Sequence, residues 1–348
     1  MSIDSEKQEE TSELYEHHRF EADAGQEVLR IDKFLMDRIP NTSRNKLQVA
    51  AKSGNILVNE KVVKPNYKVK PGDSISIVLP YPAREIELIP QDIPLDIAYE
   101  DDQLVVVNKQ ADMVVHPGYG NYKGTLVNAL VYHFDNLPQR IQDYFGRPGL
   151  VHRLDKHTTG LMVVAKTEHA LTHLAKQFYD RTTERRYWAL VWGDVSEDGM
   201  VTGHIGRSLK NRKVMTVFPD GEYGKHAVTH YKVLKRFGYV TLVECKLETG
   251  RTHQIRVHMK HIGHPLFHDL EYGGDSILKG MQSAKYKRFV ENCFGLITGQ
   301  ALHAKTLGFE HPTTGEFIQL DSQLPEGFAN ILEKWEKYLG GPSTSNTN

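Results

Sequence analysis

The chain has 348 residues, enough for a sizeable core and more than one domain, and carries 43 Lys and Arg against 44 Asp and Glu. Its two cysteines, Cys245 and Cys293, lie far apart, which argues against a disulfide framework or a cysteine zinc site and for a reducing compartment. No window approaches ~18 apolar residues, and the N-terminus has neither an apolar signal core nor an Arg-rich transit composition, so the expectation is a soluble, cytoplasmic protein without a membrane segment.

The net charge of -1 hides a segregation. Residues 1–25 carry eight acids against two bases, whereas residues 26–80 carry ten Lys or Arg against five acids. Such a basic module suits phosphate partners, although an ordinary solvated lysine-rich surface has the same composition. Residues 1–20, polar and acidic with little to bury, read as a disordered tail. Residues 21–80 read as compact. Ile31, Phe34 and Leu35 share one face of a helix that Pro40 ends; a second helix follows, with Ser43 as N-cap and Gly54 just past its end. "NILVNEKVVK" and "DSISIVL" read as short strands punctuated by Pro65 and the Pro71-Gly72-Asp73 turn. Arg44, Lys46 and Lys52 project from the second helix, with Lys61 and Lys64 nearby on the hairpin. Two helices feeding a hairpin with one basic face resemble the small RNA-binding module named after a small-subunit ribosomal protein. Residues 81–92, in a stretch holding Pro80, Pro82, Pro90 and Pro94, read as a semi-rigid linker.

Residues 93–340 read as the large domain, and 341–348 as a second disordered tail. "LDIAYEDDQLVVVNK" is a hairpin, "TLVNALVYHF" a short helix, "GLMVVAK" a buried strand, and "EHALTHLAKQFYD" a helix with Leu171, Leu174 and Phe178 on one face. "RRYWALVWG", "AVTHYKVLKRF" and "YVTLVECKLE" are strands, the last two joined at Gly238. "THQIRVHMKHIG" is a helix ended by Gly263, "ALHAKTLGFEHPTTGEFIQL" a hairpin, and "FANILEKWEKYL" lies in a terminal helix. Regular βαβ alternation is missing, so the fold class is α+β: a largely antiparallel mixed sheet, plus the small N-terminal α+β module.

Three motif readings fail on spacing. "GYGNYKG" places Gly124 one residue too late for a dinucleotide loop after Gly118 and Gly120. "HRLD" departs from a kinase catalytic loop by the intervening Leu154. His258 and His261 lie three apart on a helix, but the run "RTHQIRVHMKHIGHPLFH" is interleaved with Arg251, Arg256 and Lys260, whose charges oppose a metal cation. What remains is "VHRLDKHTTGLMVVAK", in which Asp155 stands between His152 and Arg153 on one side and Lys156 and His157 on the other. Neighbouring cations favour an ionised carboxylate, available as nucleophile, base or electrostatic stabiliser. A purely structural ion pair fits the same spacing. No second acid accompanies Asp155 in its loop, as a hydrolytic glycosidase would want.

Read together, "HRLDKHTTGLMVVAK", "ERRYWALVWG", "LETGRTHQIRVHM" and "HPLFHDLEYGG" resemble the pseudouridine synthases of the Rlu group, closest to the D-type enzymes that modify large-subunit ribosomal RNA. The resemblance runs from about residue 20 to 335 and includes "VVHPGYGNYKGTLVNAL". It implies an isomerase that breaks the uracil–ribose bond, rotates the base in place and rejoins it through ring carbon 5, using no metal or organic cofactor. On the matching positions the resemblance makes Asp155 the catalytic aspartate, Tyr187 the tyrosine that packs against the uracil and assists proton removal from ring carbon 5, and Arg256 the partner of the aspartate. Arg153 helps displace the target nucleotide from its stack, a step that costs a few kcal/mol. His152, Lys156, Arg251 and His253 join Arg153, Arg44, Lys46 and Lys52 as candidate RNA contacts. His157 stands where D-type relatives usually carry an acid, and His268 where a glycine is usual. The partner implied is large-subunit ribosomal RNA or a pre-ribosomal particle, met by a monomer. A noncatalytic RNA-binding or ribosome-assembly factor, or a synthase acting on transfer RNA, are the alternatives.

Overall fold

The computed structural model describes residues 15–39, 42, 44–79, 88–118, 120–138, 148–211 and 214–340; the expected roles of Pro40 and Ser43, the linker up to residue 87 and the 341–348 tail lie outside these. The chain divides into two compact units, separated after residue 87.

The first unit contains β1 (Tyr15–Glu21), β2 (Leu29–Arg30), α1 (Ile31–Met36), α2 (Arg44–Lys52), β3 (Ile56–Val58), β4 (Lys61–Val62), β5 (Lys68–Val69) and β6 (Ser74–Leu79). The order β1-β6-β3-β4 is antiparallel throughout, and β2 pairs with β5. Ile31, Phe34 and Leu35 are fully buried against Leu47, Ile56, Val69 and Ile75, as their helical spacing predicts. Gly54 takes the left-handed φ of 75° that closes α2. The expectation of disorder through residue 20 is corrected: Tyr15–Glu21 pairs with β6, and the Glu16 carboxylate accepts from Ser76 Oγ at 2.7 Å. An edge strand is held by its backbone ladder and tolerates charged side chains, so no apolar run announces it.

The second unit contains β7 (Ile97–Glu100), β8 (Leu104–Lys109), α3 (Leu126–His133), β9 (Thr159–Ala165), α4 (Glu168–Asp180), β10 (Glu184–Trp192), β11 (Gly199–Arg207), β12 (Met215–Phe218), β13 (Lys225–Arg236), β14 (Val240–Leu247), α5 (Gln254–His261), α6 (Ala284–Phe294), β15 (Leu302–Glu310), β16 (Phe317–Asp321) and α7 (Glu326–Gly340). One sheet runs β12-β11-β13-β14-β10-β15-β9-β8-β7, with β16 beside the far half of β15. Its pairings are antiparallel except β15 with β9. Both faces are covered. Val105, Val107, Met162 and Val164 pack with α3 and α5 on one side, whereas Leu104, Val106, Leu161 and Val163 pack with α4 on the other. Every residue of β9 is therefore buried, which is why it reads as a continuous apolar run.

Residues 88–92 belong to this unit rather than to a linker: Asn128 Nδ2 donates to the Ile89 carbonyl at 2.8 Å, and Gln91 N donates to the Asn128 carbonyl at 3.0 Å. The prolines dictate extended backbone, but its hydrogen bonds come from α3, far along the chain. Among the described residues, no helix is long and apolar enough to cross a membrane.

Candidate active site

The loop before β9 carries Asp155 and is fixed at several points. Leu154, 5% exposed, plugs into the core beside Tyr187. Thr158 N donates to the Asp155 carbonyl at 3.1 Å, and Thr158 Oγ1 accepts from Gln300 at 3.1 Å. The buried Lys109 ammonium donates to the carbonyls of Gln110, Met113 and Lys156 at 2.8, 2.9 and 3.0 Å, tying β8 to the residue after Asp155. Burial pushes the Lys109 pKa down to about 7 against the pull of Asp155 and Asp112. Just downstream, Gly160 with φ 110° passes so near β15 that a Cβ there would lie 2.3 Å from the Ala304 carbonyl oxygen. A bulkier residue would push the loop that carries Asp155 off the sheet.

Asp155 Oδ2 accepts from Arg256 Nη1 at 3.3 Å, and its Oδ1 lies 3.8 Å from His253 Nε2. Arg256, on α5 and almost wholly buried, commits its other nitrogens to Asp269 at 2.7 and 2.8 Å and to Glu271 at 2.6 Å. Burial works against the guanidinium, but Asp269, Asp155 and Glu271 outweigh it and hold the Arg256 pKa above its ordinary value. Asp269 is fully buried and also accepts from the backbone N–H groups of Glu271 and Tyr272 at 3.1 Å each. His253 begins α5 in a left-handed conformation, φ 57°, and its Nδ1 lies 2.8 Å from the Tyr272 hydroxyl. Burial lowers its pKa.

Tyr187 lies on β10, opposite Cys245 of β14, and is 8% exposed. Burial, relieved by Arg185 and reinforced by Asp155, raises its phenol pKa, so the hydroxyl is neutral. Asp155, Tyr187, Arg256, Arg153, His152, Arg251 and His253 all line one cavity of about 480 Å³, with Phe178, Arg185 and Thr249. That volume falls in the range of small-ligand sites, ~300–1,000 Å³.

His152 is not one of the cations its sequence position suggests. Its ring stacks on Phe178 at 4.4 Å, its Nε2 accepts from Val163 N at 3.1 Å, and burial with the nearby Arg185 pushes its pKa down to about 3. Arg153 is exposed at the cavity wall; Lys156 is exposed and contributes its carbonyl to Lys109. His268 holds the left-handed φ of 61° that a glycine takes without cost, and its ring stacks on Phe294 at 4.6 Å. His157 packs over Gly299, with Nδ1 2.7 Å from Asp112 Oδ1. His258 is buried with Nδ1 2.9 Å from Thr229 Oγ1, whereas His261 is exposed, so the two do not converge. Among the described residues no His, Cys, Asp and Glu cluster of three or more is arranged to hold a metal.

In the first unit, Asp32 accepts from Arg30 at 3.0 Å, Arg44 at 2.9 Å and Gln48 at 2.8 Å. Burial alone would raise its pKa; these donors hold it well below the carboxylate range. Arg44 is thus half-committed to an internal pair, while Lys52, Lys61 and Lys64 are exposed; the Lys46 side chain lies outside the described residues. Asp269, Glu271, Lys109 and Arg185 are missing from the sequence-based candidates. The segment "HPLFHDLEYGG" holds Asp269 and Glu271 and "ERRYWALVWG" holds Arg185, whereas nothing local marks Lys109.

A cavity with one carboxylate set against a buried arginine and a buried tyrosine, on a mixed sheet, has the make-up of an enzyme site. Comparison with known proteins makes this specific. The RNA pseudouridylate synthase family matches residues 103–261, and the S4 domain matches residues 29–75. An uncharacterized RNA pseudouridine synthase of Chlorobaculum parvum is 47% identical, over 89% of this chain and 94% of its own. The ribosomal large subunit pseudouridine synthase D of Zymomonas mobilis is 44% identical, over 85% and 90%. The solved human RNA pseudouridylate synthase domain containing 4 aligns with a TM-score of 0.51 at 28% identity, over 69% of this chain and 92% of that one. The chain belongs to the RNA pseudouridine synthases, isomerases by class, and carries an N-terminal S4 domain.

Proposed function

We propose that the protein converts specific uridines of large-subunit ribosomal RNA to pseudouridine, with Asp155 as the catalytic carboxylate and without a cofactor. The observation that carries this is the Asp155 carboxylate, turned into the cavity and oriented through one oxygen by Arg256 at 3.3 Å. The relatives named ribosomal large subunit pseudouridine synthase D support the choice of RNA.

The reaction breaks the bond from ribose C1′ to uracil N1, turns the retained base, forms the bond from C1′ to C5, and moves a proton off C5 while N1 takes one up, so that product and substrate are isomers. Asp155 serves the anomeric centre or the base during cleavage, and Arg256 favours its ionised form. Tyr187 offers a ring face to the uracil and a neutral hydroxyl, a donor rather than a base at neutral pH. Arg153 fills the gap left by the flipped nucleotide. The protein acts as a monomer in this reading. The cytoplasm, as the site of the ribosomal RNA or pre-ribosomal particle, is where it acts.

The test is mass-spectrometric mapping of pseudouridine in ribosomal RNA from a deletion strain complemented with wild type or Asp155→Asn. Sites restored by wild type alone are expected. Restoration by both removes the catalytic role of Asp155, and the absence of any altered ribosomal site moves the substrate to transfer RNA.

A further inference from the structure

Arg185 occupies an unusual position. It is 9% exposed, its Nε has no hydrogen-bond partner, and among the described residues it has no carboxylate partner. Its guanidinium lies 5.5 Å from the centre of the Phe178 ring, on the wall of the cavity that holds Asp155 and Tyr187. A buried arginine left in this state is destabilising unless something compensates the charge.

Two more arginines border the same wall. Arg181 ends α4 in a left-handed conformation, φ 63°, is exposed, and has no acid partner among the described residues. Arg251 sits on the loop before α5, where Nε donates to the His226 carbonyl at 3.1 Å, and no acid pairs with it there either. Burial and the neighbouring Arg181 charge depress the Arg251 pKa, so these like charges are close enough to repel. The loop between them is built to be rigid and closely approached. Gln254 accepts from Arg251 N at 3.0 Å and from Thr249 Oγ1 at 2.7 Å, and a Cβ on Gly250 would come within 3.2 Å of Arg185 Nη1. The acids of the cavity wall are engaged elsewhere: Asp155 with Arg256, and Glu248 with His230 at 2.6 Å.

We propose that Arg181, Arg185 and Arg251 form a phosphate clamp at the cavity wall, which grips one backbone phosphate of the RNA strand carrying the target uridine and so sets that nucleotide's reach to Asp155. The proposal rests on the RNA-modifying role proposed above. A planar guanidinium presents paired donors that match phosphate oxygens, and an anion there relieves both the repulsion between Arg181 and Arg251 and the uncompensated charge of Arg185.

The test measures binding of a fluorescent ten-residue oligouridylate to the full-length protein over a series of KCl concentrations. Each lost phosphate contact on a single strand lowers the slope of log K against log[salt] by about 0.7. Because the three share one phosphate, Arg181→Ala and Arg251→Ala, both changes outside the core, are each expected to flatten the slope by part of that amount and together by most of it, and Arg185→Lys to stay closer to wild type than Arg185→Gln. Asp155→Asn is expected to keep the wild-type slope. Unchanged slopes in Arg181→Ala and Arg251→Ala overturn the clamp, whatever the fate of the buried Arg185 variants. The readout needs no turnover: flattened slopes without pseudouridine formation in ribosomal RNA would sink the proposed function and leave the clamp standing, and the reverse result would do the opposite.

Discussion

Arg256 grips Asp269 through two hydrogen bonds of 2.7 and 2.8 Å but reaches Asp155 only at 3.3 Å. The buried acid is the anchor and the cavity acid is the one being positioned. An arginine held by Asp155 alone would swing with it; with Asp269 fixing its plane, Arg256 orients one oxygen of Asp155 and leaves the other towards the cavity. Asp269→Asn should therefore slow the chemical step without touching substrate. Removing one partner of a buried pair also costs about 3–5 kcal/mol. Single-turnover pseudouridine formation and urea unfolding of the same variant check both effects, and an unchanged rate at saturating RNA would show that Asp269 serves stability alone.

Tyr187 is buried at 8% exposure, and burial keeps its hydroxyl protonated above the ordinary tyrosine range. Its ring is therefore the main asset. Tyr187→Ala is expected to lower kcat/KM by about 10- to 100-fold, the size of one lost base–aromatic stack. Tyr187→Phe keeps the ring and should retain most of the binding. A pH–rate profile of the wild type without a limb from Tyr187 below pH ~10 follows from the direction of its shift. A tyrosine-dependent limb near neutrality, absent in Tyr187→Phe, would contradict this.

His152 binds fewer protons in the folded than in the unfolded chain between its folded pKa of about 3 and the ordinary value of 6.5. The unfolded state gains protons as pH falls through that window, so stability falls with it. His258 and His303, both pushed down to about 4 by burial, act in the same direction, so the contribution of His152 must be read as a difference. Urea midpoints of wild type and His152→Gln from pH 7 to pH 4 should converge as the pH drops. Parallel curves would mean that His152 takes up its proton over the same pH range in the folded and the unfolded chain.

Burial pattern was the legible part of the sequence. The apolar run of β9 and the spacing of Leu171 and Leu174 correspond to buried faces because periodicity reports directly on which side meets the core. Strand β11 was not legible, since Gly199, Gly203 and Gly206 argue against a strand. Each glycine makes room for a neighbour: a Cβ would meet Tyr231 at 2.4 Å, Val217 at 2.6 Å and Tyr223 at 2.8 Å respectively. Helix α6 is absent from the sequence-based elements, although Ser283 caps it and Tyr286, Val290 and Cys293 form its buried face. At the site, Asp155, Tyr187 and Arg256 lie on separate segments, and only the family resemblance joined them. The cations written around Asp155 misled for a local reason: His152 turns inward onto Phe178, and no spacing rule reports which way a loop side chain faces.

In the first unit, Lys52, Lys61 and Lys64 are exposed, in contrast to Arg44, whose Nε is held by Asp32 at 2.9 Å. Free lysines of a basic face contribute to RNA binding by releasing counterions, each worth about 0.7–0.9 in the slope of log K against log[salt]. The variant with all three changed to Ala should flatten that slope by about 2 and weaken binding most at low salt. Arg44→Ala should instead lower the thermal midpoint, because it strips a donor from a buried carboxylate. The cavity that holds Asp155 belongs to the other unit, so single-turnover rates at saturating RNA should stay within about twofold of wild type for the lysine variant. An unchanged salt slope with a reduced saturating rate would mean that this face acts on the chemical step rather than on capture of the RNA.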